Sequence, residues 1–362
     1  MLRVVKARRW RDPAMVLGIA LSAFVACGGD DEPAAEPAPD DGSTSSSTSS
    51  STSGDNGPKP GSSSGDPNET VSCEAPSKQG ICTIEAFFAY DVELTTDASC
   101  KTSLYVAGKP TPDAPNDFKT RRYTLKTLDP CVFERDTTFP ELASSDVIAA
   151  DEAGNILSVG TKTVELLQGD QRIKCDGTLP EAPTHFAILT RDGSVGYLAH
   201  YANVNDKVAN ISFSKVTVTG ETCAVAALAL TGDPLTGVNS IALDTKGRLH
   251  VADTTYPKGA DRVAIYDADG KFVSSYKGVD PDAYFSPTSV TPCKGGMCVD
   301  GFGAVFSFDE NGIMRGHAKL EPQGGSFNTL IRYIGSTRGP FFVVGNNDVE
   351  PRHLLINAMV RP

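Results

Sequence analysis

The chain has 362 residues, with 33 Lys and Arg against 45 Asp and Glu, a formal net charge of −12. Phosphate backbones demand clustered cations, so this acidic balance excludes nucleic acid as a partner. The same balance disfavours adsorption to an anionic lipid surface and reads as surface solubility.

Residues 1–26 have the order of an export signal. Five cations (Arg3, Lys6, Arg8, Arg9 and Arg11) precede an apolar run of 13 residues from Ala14 to Ala26. A membrane-spanning helix needs about 20 apolar residues, whereas an export signal needs a cationic stretch, a shorter apolar one and small residues at the cut. The Phe24-Val25-Ala26-Cys27 segment, followed by Gly28-Gly29, resembles a bacterial lipoprotein signal. That resemblance implies that Cys27 becomes the N-terminus and carries lipid. Phe24 departs from it, standing where Leu is usual. Gly28 after the cysteine, rather than Asp, resembles the outer-membrane pattern. The expected location is therefore the bacterial cell envelope, lipid-anchored at the outer membrane on its periplasmic or cell-surface face. Removing residues 1–26 leaves 28 Lys and Arg against 44 Asp and Glu, a net charge of −16.

Residues 27–70 are rich in Ser, Thr, Pro and Asp, and from Gly28 to Thr70 they contain no Leu, Ile, Val or aromatic residue. Such a stretch cannot bury enough apolar surface to offset its ordering entropy, and a disordered tether is predicted. Flexible chains of this kind reach about 5–6 Å times the square root of their length, roughly 35 Å here. Gly61-Ser62-Ser63-Ser64-Gly65 matches the G-x-S-x-G pattern, but no strand precedes it, and it reads as accidental.

Eight further cysteines (Cys73, Cys82, Cys100, Cys131, Cys175, Cys223, Cys293 and Cys298) form an even set in an exported chain and point to disulfides. Sequence leaves their connectivity open. Short closures favour Cys293–Cys298 and Cys73–Cys82, leaving Cys100–Cys131 and Cys175–Cys223. A zinc site is the rival reading, but there is no C-x-x-C and the spacings are irregular.

From Val71 to Pro362 short apolar runs alternate with Gly, Asp and Asn turns, without sustained helical periodicity, which predicts an all-β domain over residues 71–362. A unit repeats within it. Ile148-Ala149-Ala150-Asp151-Glu152-Ala153-Gly154 and Ile241-Ala242-Leu243-Asp244-Thr245-Lys246-Gly247 share an apolar strand, an Asp, a two-residue spacer and a turn Gly. Outer hairpins repeat too, at Asp267 to Gly270 and Asp309 to Gly312. A period in the forties with about four strands per unit predicts a β-propeller, with six blades at roughly 83–140, 141–182, 183–233, 234–280, 281–322 and 323–362. The last unit is one strand short, and residues around Gly80–Phe88 are predicted to supply it and lock the ring.

Val238 to Asp253 followed by Asp261 to Phe272 resembles NHL-repeat and SMP-30/gluconolactonase-like propellers. WD40 and quinone-binding propellers rely on a Trp in each repeat, and the single Trp here is Trp10. Ligands of propellers usually sit in a central funnel, and the positions entering the innermost strands are Asp146, His185, Asn239, Thr288 and Asn328. The resemblance to the SMP-30-like lactonases implies a divalent metal such as Ca²⁺ held by one Glu, two Asn and one Asp. Asn239 fits such a position and Asp146 substitutes for the Glu. His185 and Thr288 stand where Asn and Asp are expected. Asp253 and Asp300 follow second strands and read as turn-capping residues.

Two functions follow. The first is a non-enzymatic binding or scaffold module without a cofactor, displayed on a lipid tether, that takes a protein, glycan or small-molecule ligand. The second is a calcium-dependent hydrolase of the lactonase type. The departures at His185 and Thr288 favour the first.

Overall fold

The computed structural model describes residues 73, 80–111, 113–114, 118–204, 207–254, 261–279, 285–301, 304–319, 327–335, 340–347 and 354–359. The predicted signal, Cys27 and the tether of residues 27–70 lie outside the described residues.

The described strands form an all-β propeller of six antiparallel sheets. Their innermost strands are Phe88–Thr96, Val147–Ala150, Thr184–Leu189, Ser240–Leu243, Ser289–Cys293 and Phe327–Gly335. These six touch in cyclic order, the last against the first. Each sheet then runs outward strand by strand, as in the fourth, where Leu249–Asp253, Arg262–Tyr266 and Phe272–Tyr276 follow. No helix of the described residues is long and apolar enough to cross a membrane.

Alternation along single strands explains why sheets stack this way. Successive side chains of a strand point to opposite faces. In the second sheet Val147, Ala149, Leu157 and Val159 pack toward the third, while Ile148, Ala150 and Ile156 pack toward the first. In the fourth, Ile241 and Leu243 face the third sheet and Ala242 the fifth. Both faces are apolar, so the inner strands read as continuous hydrophobic runs, and each sheet buries its two faces only between neighbours.

The repeated Asp closes the hairpins by one local device. Asp244 N–H donates to the Arg248 carbonyl, Gly247 N–H donates to the Asp244 carbonyl, and Asp244 Oδ1 accepts from the backbone of Lys246 and Arg248 at 2.9 Å each. Asp97, Asp267 and Asp309 repeat the pattern, and Asp151 repeats most of it. The fourth residue of this turn needs positive φ, which favours Gly: φ is 73° at Gly247 and 81° at Gly270. In the first sheet Cys100 occupies that position with φ 66°.

The predicted closing segment is present. Gly80–Ile81 pairs antiparallel with Leu354–Met359 as the outer strand of the sixth sheet. The chain then crosses to the first sheet, where Thr83 pairs with Val132 in parallel. Cys82 and Cys131 are disulfide-bonded beside this crossing, Cα to Cα 4.4 Å.

Two of the expected disulfides form, Cys175–Cys223 and Cys293–Cys298, and two do not. Cys73 bonds Cys100, and Cys82 bonds Cys131. Short spacing favoured Cys73–Cys82. The closing strand overrides it by laying Cys82 against the outer strand of the first sheet, which leaves Cys100 to Cys73.

Candidate functional site

A cavity of about 470 Å³ follows the inner strands of all six sheets. Its lining comes from the ends of these strands and the hairpin turns after them: Val92 to Thr96, Ala150 to Glu152, Phe186 to Asp192, Ser240 to Thr245, Ser289 to Pro292 and Ile334 to Gly335. It runs along the channel from Ser240 and Ser289, the first residues of their inner strands, to the hairpin turns at the end of the ring where the inner strands leave.

The turn carboxylates shape this mouth. Asp151 is buried and accepts from Asn155 N–H at 2.8 Å and Asn155 Nδ2 at 2.6 Å. Burial pushes its carboxyl above the usual range, against those hydrogen bonds. Gly193 of the next turn, φ 71°, approaches so closely that a Cβ there would lie 2.2 Å from Asp151 Oδ2. Glu152 N–H donates to the Arg191 carbonyl at 3.2 Å, and the two side chains form an ion pair at 3.5 Å. Asp192 accepts from Thr190 Oγ1 at 2.7 Å and from Ser194 Oγ at 2.8 Å, and these bonds hold its pKa low.

Asp244 anchors a buried relay. Its Oδ2 accepts from Arg248 Nε at 2.7 Å and faces His250 Nε2 at 3.2 Å, while His250 Nδ1 meets Tyr276 Oη at 3.1 Å. Burial opposes ionisation of Asp244, but His250 and Arg248 hold its carboxyl below the ordinary value. Burial also drives the Tyr276 hydroxyl well above the usual tyrosine range. Deeper in the channel Thr291 links the fifth and sixth sheets, accepting from Gly335 N–H at 3.0 Å, and Ser240 Oγ donates to the Val290 carbonyl at 3.3 Å. These bonds make the lining a fixed surface.

The predicted funnel residues lie elsewhere. Asp146, His185, Asn239 and Thr288 stand at the strand-entry end, and none of them lines the cavity. His185 stacks on Tyr201 with ring centroids 3.7 Å apart, and its Nε2 lies 3.0 Å from the Tyr201 carbonyl. Asn239 Nδ2 donates to the carbonyls of Thr254 at 3.4 Å and Pro287 at 3.3 Å, tying the fourth sheet to the approach of the fifth. Thr288 Oγ1 donates to Asp300. Asp146 is half-buried ahead of Val147–Ala150. Asn328 belongs to Phe327–Gly335, but its side chain is outside the described residues. The expectation took the strand-entry loops as the binding face; Phe186, Ser240 and Ser289, each next to one of these positions, line the cavity.

Asp253, expected to cap a turn, instead holds a distant segment. Fully buried, it accepts from Thr236 N–H at 2.8 Å, Gly237 N–H at 3.0 Å and Arg262 Nε at 3.0 Å, fixing the segment that leads into the fourth inner strand. Among the described residues no group of three or more His, Cys, Asp or Glu is arranged to hold a metal ion. The cavity-lining residues Thr95 and Arg191 were not singled out from sequence. The turn repeat was the available signal, since it places Asp151 and Asp244 at the same end of every unit.

No protein-family model matches the chain, and no curated protein does. Among solved structures it is similar to a protein provisionally assigned as a gluconolactonase, at 14% identity and TM-score 0.46, covering 79% of this chain and 94% of that one. A protein from Lactobacillus plantarum is similar at 16% identity and TM-score 0.43, covering 69% and 80%. A protein of unknown function from Bacteroides caccae follows at 14% identity and TM-score 0.43, covering 66% and 82%.

Proposed function

We propose that this chain is a lipid-anchored envelope protein whose six-bladed propeller is a non-enzymatic binding module, with a small polar ligand held in the channel cavity. The cavity carries the reading. Its volume of about 470 Å³ falls within the roughly 300–1,000 Å³ of small-molecule sites. The carboxylates at its mouth are committed to turn hydrogen bonds and an ion pair, which suits recognition by a rigid surface. Four disulfides suit an oxidising compartment, in keeping with export and a lipid on Cys27.

Thermal melting of the full-length chain against a panel of hydroxylated and cationic small molecules tests the binding role. A ligand of the native state raises the apparent stability, and Thr245→Trp, which places a large ring at the mouth, should abolish that rise without lowering the melting temperature of the free protein. An equal rise in the variant would remove the cavity from consideration. Calcium-dependent hydrolysis of glucono-δ-lactone, lost in Asn239→Ala, would replace this reading with the lactonase one. Mass spectrometry of the mature N-terminus decides whether Cys27 carries lipid.

A further inference from the structure

Cys73–Cys100, Cys82–Cys131 and Cys175–Cys223 span 27, 49 and 48 residues, whereas Cys293–Cys298 spans 5. The short one joins residues that are already joined. Ser289–Cys293 and Gly296–Gly301 pair at five positions, from Ser289 with Asp300 to Cys293 with Gly296, so the hairpin holds the two cysteines together by its own hydrogen bonds. Closing so short a loop also removes the least entropy from the unfolded chain. Reduction would therefore leave the hairpin intact, with the two Cα atoms still 5.7 Å apart and placed to reoxidise.

The sulfurs have an approach of their own. Cys298 stands opposite Thr291, two residues from Cys293, so both cysteines project from one face of the fifth sheet. A recess of about 180 Å³ is lined by both of them and by Ser307 and Gly316, which are tied by a bond from Ser307 Oγ to the Gly316 carbonyl at 3.3 Å. Cys293 is 5% exposed and Cys298 2%, and the recess is the way in to them. It admits a molecule of a few heavy atoms.

Two cations stand at the same recess. Lys294 lies inside the closed loop, and Arg315 reaches over the turn from the outermost strand of the sheet, where a Cβ on Gly295 would lie 2.8 Å from its Nη1. Both are exposed, and among the described residues neither is in an ion pair. Asp309 lies within the field of Arg315, but its carboxylate accepts from the N–H groups of Ile313 at 2.9 Å and Asn311 at 2.8 Å. In a chain of net charge −12 this is a local excess of positive charge beside a disulfide. Such an excess attracts anionic reagents and stabilises a thiolate as it forms.

We propose that Cys293–Cys298 is a reversible thiol–disulfide exchange site for small anionic thiols, while the other three disulfides hold the fold. A thiolate entering the recess attacks one of the two sulfurs. The bond between Cys293 and Cys298 breaks, and its electron pair passes to the other sulfur, which leaves as a thiolate beside Lys294 and Arg315. A second small thiolate attacks the small-molecule sulfur of the mixed disulfide and releases it as a symmetrical disulfide. The two cysteine thiolates take up the two protons that the small thiols gave up. The cysteine pair gains two electrons and the small thiols lose two, and the same steps in reverse restore the protein disulfide. This inference is independent of the ligand in the channel and of any lipid on Cys27.

Timed alkylation of the full-length chain with site-resolved mass spectrometry tests it. The reductants are 2-mercaptoethanesulfonate, 2-mercaptoethanol and cysteamine at equal thiolate concentration, which carry negative, zero and positive charge. Cys293 and Cys298 should be labelled about tenfold faster than the cysteines of the other three disulfides. The anionic thiol should act about threefold faster than the cationic one. That preference should vanish in the Lys294→Gln, Arg315→Gln double variant, whose two changes are at exposed side chains. The selectively reduced chain should keep its circular dichroism and regain the disulfide on addition of the oxidised form of the anionic thiol. Release of all four disulfides together, or only as the chain unfolds, overturns the proposal by making Cys293–Cys298 one more structural bond. Selective reduction at equal rates by the three thiols overturns it too, because the recess would then exert no choice among them.

Discussion

Asn346 of the sixth sheet pairs with the backbone of Ala89 in the first, its Nδ2 donating to the Ala89 carbonyl at 2.8 Å and its Oδ1 accepting from the Ala89 N–H at 3.0 Å. An amide side chain thus completes two backbone hydrogen bonds at the seam where the ring closes, in a site where Asn346 is 1% exposed. Asn346→Leu removes both partners and leaves a buried donor and acceptor, at a cost of about 2–4 kcal/mol. Urea denaturation measures it. A loss below about 0.5 kcal/mol would show that the seam is held by other contacts, such as the Phe133 and Phe342 rings 5.4 Å apart.

Cys82–Cys131 and Cys175–Cys223 are built alike. Each has Cα atoms 4.4 Å apart, and each stands beside a parallel bridge between neighbouring sheets, Thr83 to Val132 and Asp176 to Ala224. They close 49 and 48 residues, whereas Cys293–Cys298 closes 5. Chain entropy then assigns about 4 kcal/mol to each long closure and about 2 kcal/mol to the short one. Paired Cys→Ser variants in guanidinium titrations should reproduce that order. Equal losses would count against a mechanism acting through the unfolded chain.

Asp244 and Asp267 make the same turn in different surroundings. Asp267→Ala removes backbone bonds at a partly exposed hairpin and should cost about 1 kcal/mol. Asp244→Ala also strips the partner from fully buried His250 and from Arg248, so about 3 kcal/mol is expected. Similar losses at the two sites would mean that the buried relay adds nothing to the turn.

His200 sets an acid limb. It is fully buried between Thr184 Oγ1 at 2.9 Å and Ser214 Oγ at 3.0 Å. Burial, with a smaller contribution from His185, lowers its pKa from 6.5 to about 4. The unfolded chain therefore binds this proton more tightly than the native one. The stability contribution is full above about pH 6.5 and declines as the pH falls toward 4, by about 3 kcal/mol in all. His200→Gln should flatten the dependence between pH 6.5 and 4, and an unchanged slope would assign the acid limb to other groups.

Residues with a local task were readable in advance. The spacing of Asp244 and Gly247, and of Asp267 and Gly270, is the chemistry of one turn and needs no distant partner. Gly80 and its neighbours were recognisable as the closing strand because the last unit lacked one. The site was harder to read. His185, Asn239 and Thr288 are polar and enter inner strands, but their side chains are spent on Tyr201, on backbone carbonyls and on Asp300. Nothing adjacent in the chain announces those partners.

The sequence by itself determined the strand alternation, the turn positions and the even set of cysteines, since each follows from the conformational preferences of a few consecutive residues. Tertiary structure alone decided that Cys73 meets Cys100, that Asn346 seals the ring at Ala89, and that the cavity opens where the inner strands leave. Those outcomes depend on which segments, tens to hundreds of residues apart, are brought into contact when each sheet buries both faces against its neighbours. Contact of that kind is a property of the closed ring and of no single blade.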